Sequence, residues 1–177
     1  MSILFARPVV ARTIVGLFLI AMIAAGTGCG WIFGKQKKPM KIEIIFIGSD
    51  SLNFDGNQFQ AVQVKAFVLK RAERFWAADV RAFFDPGYDP GFMTEFGKDT
   101  LGSVTAIVAP EEMTRPLTIE IPFIRARDEK PIFAVIANFA QPPRGENRER
   151  LAFDLKKKTR QTVRVDLGTN WVARGSK

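Results

Sequence analysis

The chain has 177 residues, with 26 lysines and arginines against 18 acids, one cysteine and no histidine. The lack of histidine excludes an imidazole general base, a histidine-based triad and a histidine-ligated zinc, and one thiol excludes an intramolecular disulfide and a thiolate cluster. A formal charge of +8 suits anionic lipid, an acidic protein or nucleic acid as partner.

The N-terminus has the three parts of a bacterial export signal. Arg7 and Arg12 give a positive start, residues 13–25 an apolar run with one glycine, and Gly26-Thr27-Gly28 a small-residue exit onto Cys29. A lone thiol at that position is suited to accept a diacylglycerol and become the first residue of a mature lipoprotein. Buried acyl chains gain about 0.8 kcal/mol per methylene, so several of them on one terminus hold a protein firmly on a membrane. Two other readings are a retained membrane span, for which the apolar run is short of the roughly 20 residues required, and ordinary cleavage that leaves a free thiol. Gly26 stands where lipoprotein signals usually carry a branched aliphatic residue. Gly30 follows the cysteine where an aspartate would favour inner-membrane retention, so the expected location is the outer membrane, facing the periplasm. Removal of residues 1–28 takes away Arg7 and Arg12 and no acid, leaving +6. An exported protein seldom meets nucleic acid, so anionic lipid or an acidic protein is the expected partner and no nucleic acid is.

The expected layout is a lipoprotein signal peptide at 1–28, a lipidated flexible tether at 29–40, a β-sandwich at 41–172 and a tail at 173–177. The tether carries Lys35, Lys37 and Lys38, either as a solvated linker or against anionic headgroups, where a charge gains up to about 1 kcal/mol. From Lys41 onward alternation at period two takes over. Ile42, Ile44 and Phe46 alternate with Glu43 and Ile45, and residues 62–69 read Val-Gln-Val-Lys-Ala-Phe-Val-Leu. Val62, Val64, Ala66 and Val68 belong to one face. On the other face Phe67 and Leu69 follow Gln63 and Lys65, so both sides become apolar near the strand's end. Further strands are expected at 104–109, 117–121, 132–139, 151–155 and 162–167, separated by proline and glycine turns. The run 132–137 is apolar throughout and fits a central strand. Short alternating strands of this kind predict an all-β sandwich.

One segment departs from the β rhythm. Phe75, Trp76, Val80, Phe83 and Phe84 recur at helical spacing and predict one short amphipathic helix over 72–84 that covers an end or edge of the sandwich. Asp85-Pro86-Gly87 stops it and Asp89-Pro90-Gly91 makes a second turn, so Tyr88, Phe92 and Phe96 are expected in a turn-rich loop.

The order of these landmarks resembles one family. A lipobox cysteine is followed by a strand, then by Leu52-Asn53-Phe54-Asp55-Gly56, the strand 62–70, and the helical Phe75, Ala78-Asp79-Val80 and Phe83-Phe84. Gly97-Lys98-Asp99-Thr100-Leu101, Val108-Ala109-Pro110 and the run 132–139, ending in Ala137-Asn138-Phe139, complete the set. Over nearly the whole mature chain this is similar to the TssJ family, outer-membrane lipoproteins of the type VI secretion membrane complex. The resemblance implies a transthyretin-like β-sandwich with a short inserted helix. It also implies a non-catalytic role as a lipid-anchored protein that binds the periplasmic C-terminal region of a TssM-like inner-membrane protein, with no cofactor. The loop between the first two strands, 48–61, then carries the contact, and Asn53, Phe54, Asp55, Gly56, Asn57 and Gln58 form its tip. Departures from the family pattern are Phe67 and Val68 where it often has tyrosine and glutamine, and the charged stretch 142–150, which lacks a tryptophan.

Two rival readings are a periplasmic binding or chaperone-like lipoprotein of another pathway and a carboxylate-based hydrolase using Asp79, Asp99 or Glu120. The acids are scattered singly along the chain, so catalysis is not expected. Lipidation has a direct test. Cys29→Ser should abolish palmitate labelling and leave the protein soluble or as uncleaved precursor; a variant that still labels and fractionates with the outer membrane would place the anchor elsewhere.

Overall fold

The computed structural model describes residues 38–122, 130–141, 148–156 and 158–176. The signal segment and Cys29 lie outside the described residues. The element order is β1 (Met40–Gly48), β2 (Val62–Leu69), α1 (Glu73–Ala77), α2 (Val80–Phe84), α3 (Phe92–Asp99), β3 (Thr100–Val108), β4 (Leu117–Ile121), β5 (Ile132–Asn138), β6 (Arg150–Asp154), β7 (Arg160–Leu167) and β8 (Val172–Arg174). The strands form two four-stranded sheets, ordered β4-β1-β7-β8 and β3-β2-β5-β6. Every pairing is antiparallel except β1 with β7, which is parallel and in register from Lys41 opposite Arg160 to Gly48 opposite Leu167.

The alternation in β1 and β2 sets the core between the sheets. Ile42, Ile44 and Phe46 point inward and are fully buried, and Val62, Val64, Ala66 and Val68 meet them from the other sheet. Phe133, Val135 and Ala137 of β5 join the same core. The opposite faces of β2 and β5 are also apolar at the end predicted from the sequence. There Phe67, Leu69, Ala134 and Ile136 meet Phe75, Phe83 and Phe96 in a second core. The sheet β3-β2-β5-β6 is thus covered on both faces over part of its surface, and the three helices provide the outer cover.

The expected helix over 72–84 is two helices. Ala78 is extended, with φ −79° and ψ 148°, and Asp79 caps the second helix by accepting the Arg81 amide at 2.9 Å. The Arg81 side chain also holds the Asp79 carboxyl, whose pKa falls to about 2 chiefly for that reason. The carbonyls that a continuous helix would bond internally go elsewhere. Arg150 Nη1 donates to the carbonyls of Phe75 at 2.8 Å, Ala78 at 3.0 Å and Trp76 at 3.3 Å. Arg150, read from the sequence as part of a charged loop, therefore points inward from β6. Its Nε donates to Glu149 Oε1 at 2.9 Å, so the buried charge is paired.

The turn-rich stretch contains a third helix. Asp89 Oδ1 accepts the Phe92 amide at 3.1 Å at the start of α3, and Phe92 and Phe96 on one side of it pack against Phe83 at 4.8 and 5.2 Å between ring centroids. Asp89 followed by Pro90 is a helix-start signature, though here it also reads as a turn. Tyr88 stays exposed and packs under the Arg81 guanidinium. The sequence reading also missed β8, which runs Val172–Arg174 and so crosses the expected boundary at 172.

Phe75 is fully buried, while its neighbour Trp76 is 40% exposed. Phe75→Ala should therefore cost about 3–5 kcal/mol, read by urea unfolding, and Trp76→Ala should cost less than half as much. Equal losses at both positions would mean that Trp76 is also a core residue.

Candidate partner-binding site

Strand direction assembles the site. β1, β3, β5 and β7 all finish at one end of the sandwich, and β2, β4, β6 and β8 begin there. The connections 49–61, 109–116 and 168–171, and the described residues 139–141 and 148–149, therefore share that end. Backbone bonds join them to one another. The Gly48 amide donates to Glu112 O at 2.8 Å, Ser49 to Leu167 O at 2.9 Å, Glu111 to Ser49 O at 3.2 Å and Val172 to Arg148 O at 2.8 Å. Gly48 sits where a Cβ would lie 2.4 Å from Ala109 O, so the first and second of these connections can approach so closely only over glycine.

The loop 49–61 is fixed at three levels. Leu52 is fully buried in the inter-sheet core. Asn53 follows with φ +49°, a left-handed conformation that asparagine tolerates. Its side chain is a bracket: Nδ2 donates to Ala61 O at 3.1 Å and Oδ1 accepts the Ala140 amide at 2.6 Å. At the tip Asp55 closes a turn, accepting the amides of Asn57 at 2.8 Å and Gln58 at 3.0 Å on Oδ1 and the Gln60 amide group on Oδ2. These bonds, the Gln58 amide first, hold the carboxyl below the usual aspartate range. Gly56 supplies the φ of +101° that the turn requires.

This arrangement divides the six residues expected at the tip. Asn53 is buried, with both ends of its amide committed inside the protein, so it positions the loop and has no free face for a partner. Asp55 spends its oxygens within the turn. Gly56, Asn57 and Gln58 are exposed, and Phe54 is half-buried against Phe59, with ring centroids 5.0 Å apart. Phe59, outside the expected tip, is 54% exposed. The other connections add Met113 and Trp171, 66% and 37% exposed, and Ile107 lies just inside the end of β3. Nothing in the sequence distinguished these three from core residues, because the register of β3, which turns Ile107 outward, and the placing of the connections that carry Met113 and Trp171 come from long-range pairing.

The surface therefore offers exposed apolar groups among the exposed side-chain amides of Asn57 and Gln58, on a loop already ordered before contact. Such a composition suits a protein interface, where aromatic anchors supply most of the affinity and preorganisation lowers the ordering cost. Elsewhere, the acids considered for catalysis are each held by their own cations. Asp79 pairs with Arg81, Asp99 with Arg71 and Arg74, and Glu120 with Lys41. Asp99 Oδ1 lies 3.3 Å from Arg71 Nη2 without hydrogen-bond alignment. Among the described residues, no three of histidine, cysteine, aspartate and glutamate group as metal ligands, and no helix is long and apolar enough to cross a membrane.

No protein-family model matches the sequence, and no curated protein matches it. Solved structures do. The type VI secretion lipoprotein TssJ1 of Pseudomonas aeruginosa superposes with a TM-score of 0.61 at 15% identity, covering 78% of this chain and 97% of that one. Serratia marcescens Lip, described as a membrane-bound component of the type VI secretion system, gives 0.60 at 17% identity, covering 78% and 98%. The chain has a TssJ-like fold. A further match, described as the type VI secretion protein TssM C-terminal domain (869–1107) from EAEC, gives 0.55 at 16% identity, covering 80% of this chain and all of that one. The TssJ-like body spans nearly the full length of each of these chains.

The Asp55 turn can be followed by pH. Its folded-state pKa is depressed, so the order it confers is present above the ordinary aspartate pKa of 3.8 and is lost as pH falls through the lower folded value. The amide resonances of Asn57 and Gln58 should shift together with a midpoint below 3.8, and in Asp55→Asn this acid transition should vanish. A midpoint at or above the ordinary value would mean that the turn does not hold the carboxylate.

Proposed function

We propose that this protein is a non-catalytic lipoprotein of a type VI secretion membrane complex. In this reading Cys29 carries the acyl anchor in the outer membrane, and the loop end of the sandwich, in the periplasm, binds the C-terminal region of a TssM-like inner-membrane protein. The observation that carries the proposal is the preorganised loop 49–61, with Phe59 exposed, on a body of TssJ-like fold. The signal layout ahead of Cys29 and the lipoprotein and membrane-component descriptions of the matched structures support the same reading. An adaptor of this kind needs a rigid body with one adhesive end, and no histidine, cofactor or metal.

Asn53, Phe54, Asp55, Gly56, Asn57 and Gln58 take two roles under this proposal. Asn53 and Asp55 set the loop, while Phe54, Gly56, Asn57 and Gln58, together with Phe59, meet the partner. Phe59→Ala should lower affinity for the periplasmic domain of the cognate TssM-like protein by at least about 2 kcal/mol, some thirtyfold by calorimetry. Its melting temperature should stay within error, because the ring is more than half exposed. Asn53→Ala should instead lower stability by about 1–3 kcal/mol by leaving the Ala140 amide unpaired. Unchanged affinity in both Phe54→Ala and Phe59→Ala would move the interface off this loop.

A further inference from the structure

The opposite end of the sandwich differs in charge. β6 leaves at Asp154 and β7 enters at Arg160, and the chain itself enters the domain beside them. The Lys41 amide donates to Thr159 O at 2.8 Å, and Gln161 Nε2 lies 3.7 Å from Met40 Sδ. A groove of about 220 Å³ opens between the sheet edges here, lined by Phe153, Lys156, Lys158, Arg160 and Arg174 among others. It shares Thr162, Val163 and Arg174 with a shallower depression of about 320 Å³ that reaches Arg164. The Arg174 guanidinium lies over the Phe153 ring at 4.3 Å, which fixes one wall.

The five cations Lys156, Lys158, Arg160, Arg164 and Arg174 are all exposed. Three acids lie near them. Asp154 is held by Lys130 at 3.8 Å and Glu43 by Arg160 at 2.6 Å, while Asp166 shares the face of Arg164. Among the described residues, Lys156, Lys158, Arg164 and Arg174 form no ion pair. Lys156, Lys158 and Arg174 around the groove, with Arg164 in the adjoining depression, repel one another and gain most from a multivalent anion. Guanidinium groups match phosphate oxygens in a bidentate fork, and lysines add point charge.

We propose that this groove binds the phosphate headgroups of anionic lipid, so that the folded body itself rests on the membrane by its chain-entry end. The proposal rests on the lipoprotein reading. The covalent path from Cys29 to Met40 reaches at most about 40 Å when fully extended, so an acylated Cys29 would keep the groove within reach of the bilayer. Near an anionic surface each basic residue adds to the attraction, and contact here would leave the loop end directed away from the membrane, free for a partner. This favours lipid over an acidic protein segment as the occupant.

The test uses the mature chain from residue 29 carrying Cys29→Ser, so that no acyl chain contributes. The solved chains that this body matches contain little beyond it, and circular dichroism verifies its folding. Sedimentation should show binding to vesicles of mixed phosphatidylglycerol and phosphatidylcholine, none to phosphatidylcholine alone, and release at high salt, where charge is screened. Lys156→Glu/Arg164→Glu/Arg174→Glu should weaken binding at least about tenfold, with the circular dichroism unchanged. Lys35→Gln/Lys37→Gln/Lys38→Gln should retain most of it. Equal binding to neutral vesicles, full binding by the charge-reversed variant, or loss only in the tether variant would overturn the proposal. A soluble polyglutamate peptide that occupies the groove more tightly than vesicles would overturn it in favour of an acidic protein. Palmitate labelling of native Cys29 is read separately, so failure of the anchor and failure of the groove are distinguishable.

Discussion

Each of the three helices ends on a cation supplied from outside it, and the whole insertion depends on these contacts. Arg150 from β6 collects the last carbonyls of α1, Lys65 from β2 donates to Phe83 O at 2.5 Å in α2, and Lys70, just after β2, donates to Lys98 O at 3.0 Å in α3. Helices of five or eight residues cannot stand alone, because so few internal bonds do not offset the cost of ordering the chain and leave the terminal carbonyls unpaired. The sheet supplies what they lack: an apolar floor of Phe67, Leu69, Ala134 and Ile136 beneath, and positive charge at their carbonyl ends. Burial depresses the Lys65 pKa, which is consistent with an ammonium group partly withdrawn from water to make such a contact.

The insertion has a consequence for the rest of the body. With one sheet covered on both faces and the other packed against it, little backbone freedom is left to the strands that carry the loops. Leu52 and Asn53 extend that rigidity into the connection 49–61, one through the core and the other through hydrogen bonds to two segments. A loop held in this way presents Phe54 and Phe59 at little further entropic cost, which is the condition under which a few exposed aromatics bind tightly.

The two ends of the sandwich are chemically unlike. One carries exposed aromatic and apolar groups among amides, and the other carries clustered cations beside the point of chain entry. A body with an apolar end and a charged end suits the bridge proposed above, and strand direction sets which connections share an end. Even-numbered strands start where odd-numbered strands stop, so each described residue within a connection is assigned to one end by topology.

The alternation of 42–46 and 62–69, the apolar run 132–137 and the double-sided apolar end of β2 were legible in the sequence because a strand's faces follow from neighbouring residues alone. The resemblance carried by ordered landmarks was legible for the same local reason. What the sequence left open was set by partners far away in the chain. The break at Ala78-Asp79 depends on Arg150 arriving from β6, and the inward turn of Asn53 depends on the Ala140 amide from the end of β5. The parallel pairing of β1 with β7 depends on strands separated by most of the domain. Local pattern determined which residues are apolar and which strands exist, apart from the short β8. Only the tertiary structure decided which polar side chains are spent inside the fold and which remain free to bind, because hydrogen-bond partners are chosen by proximity in space.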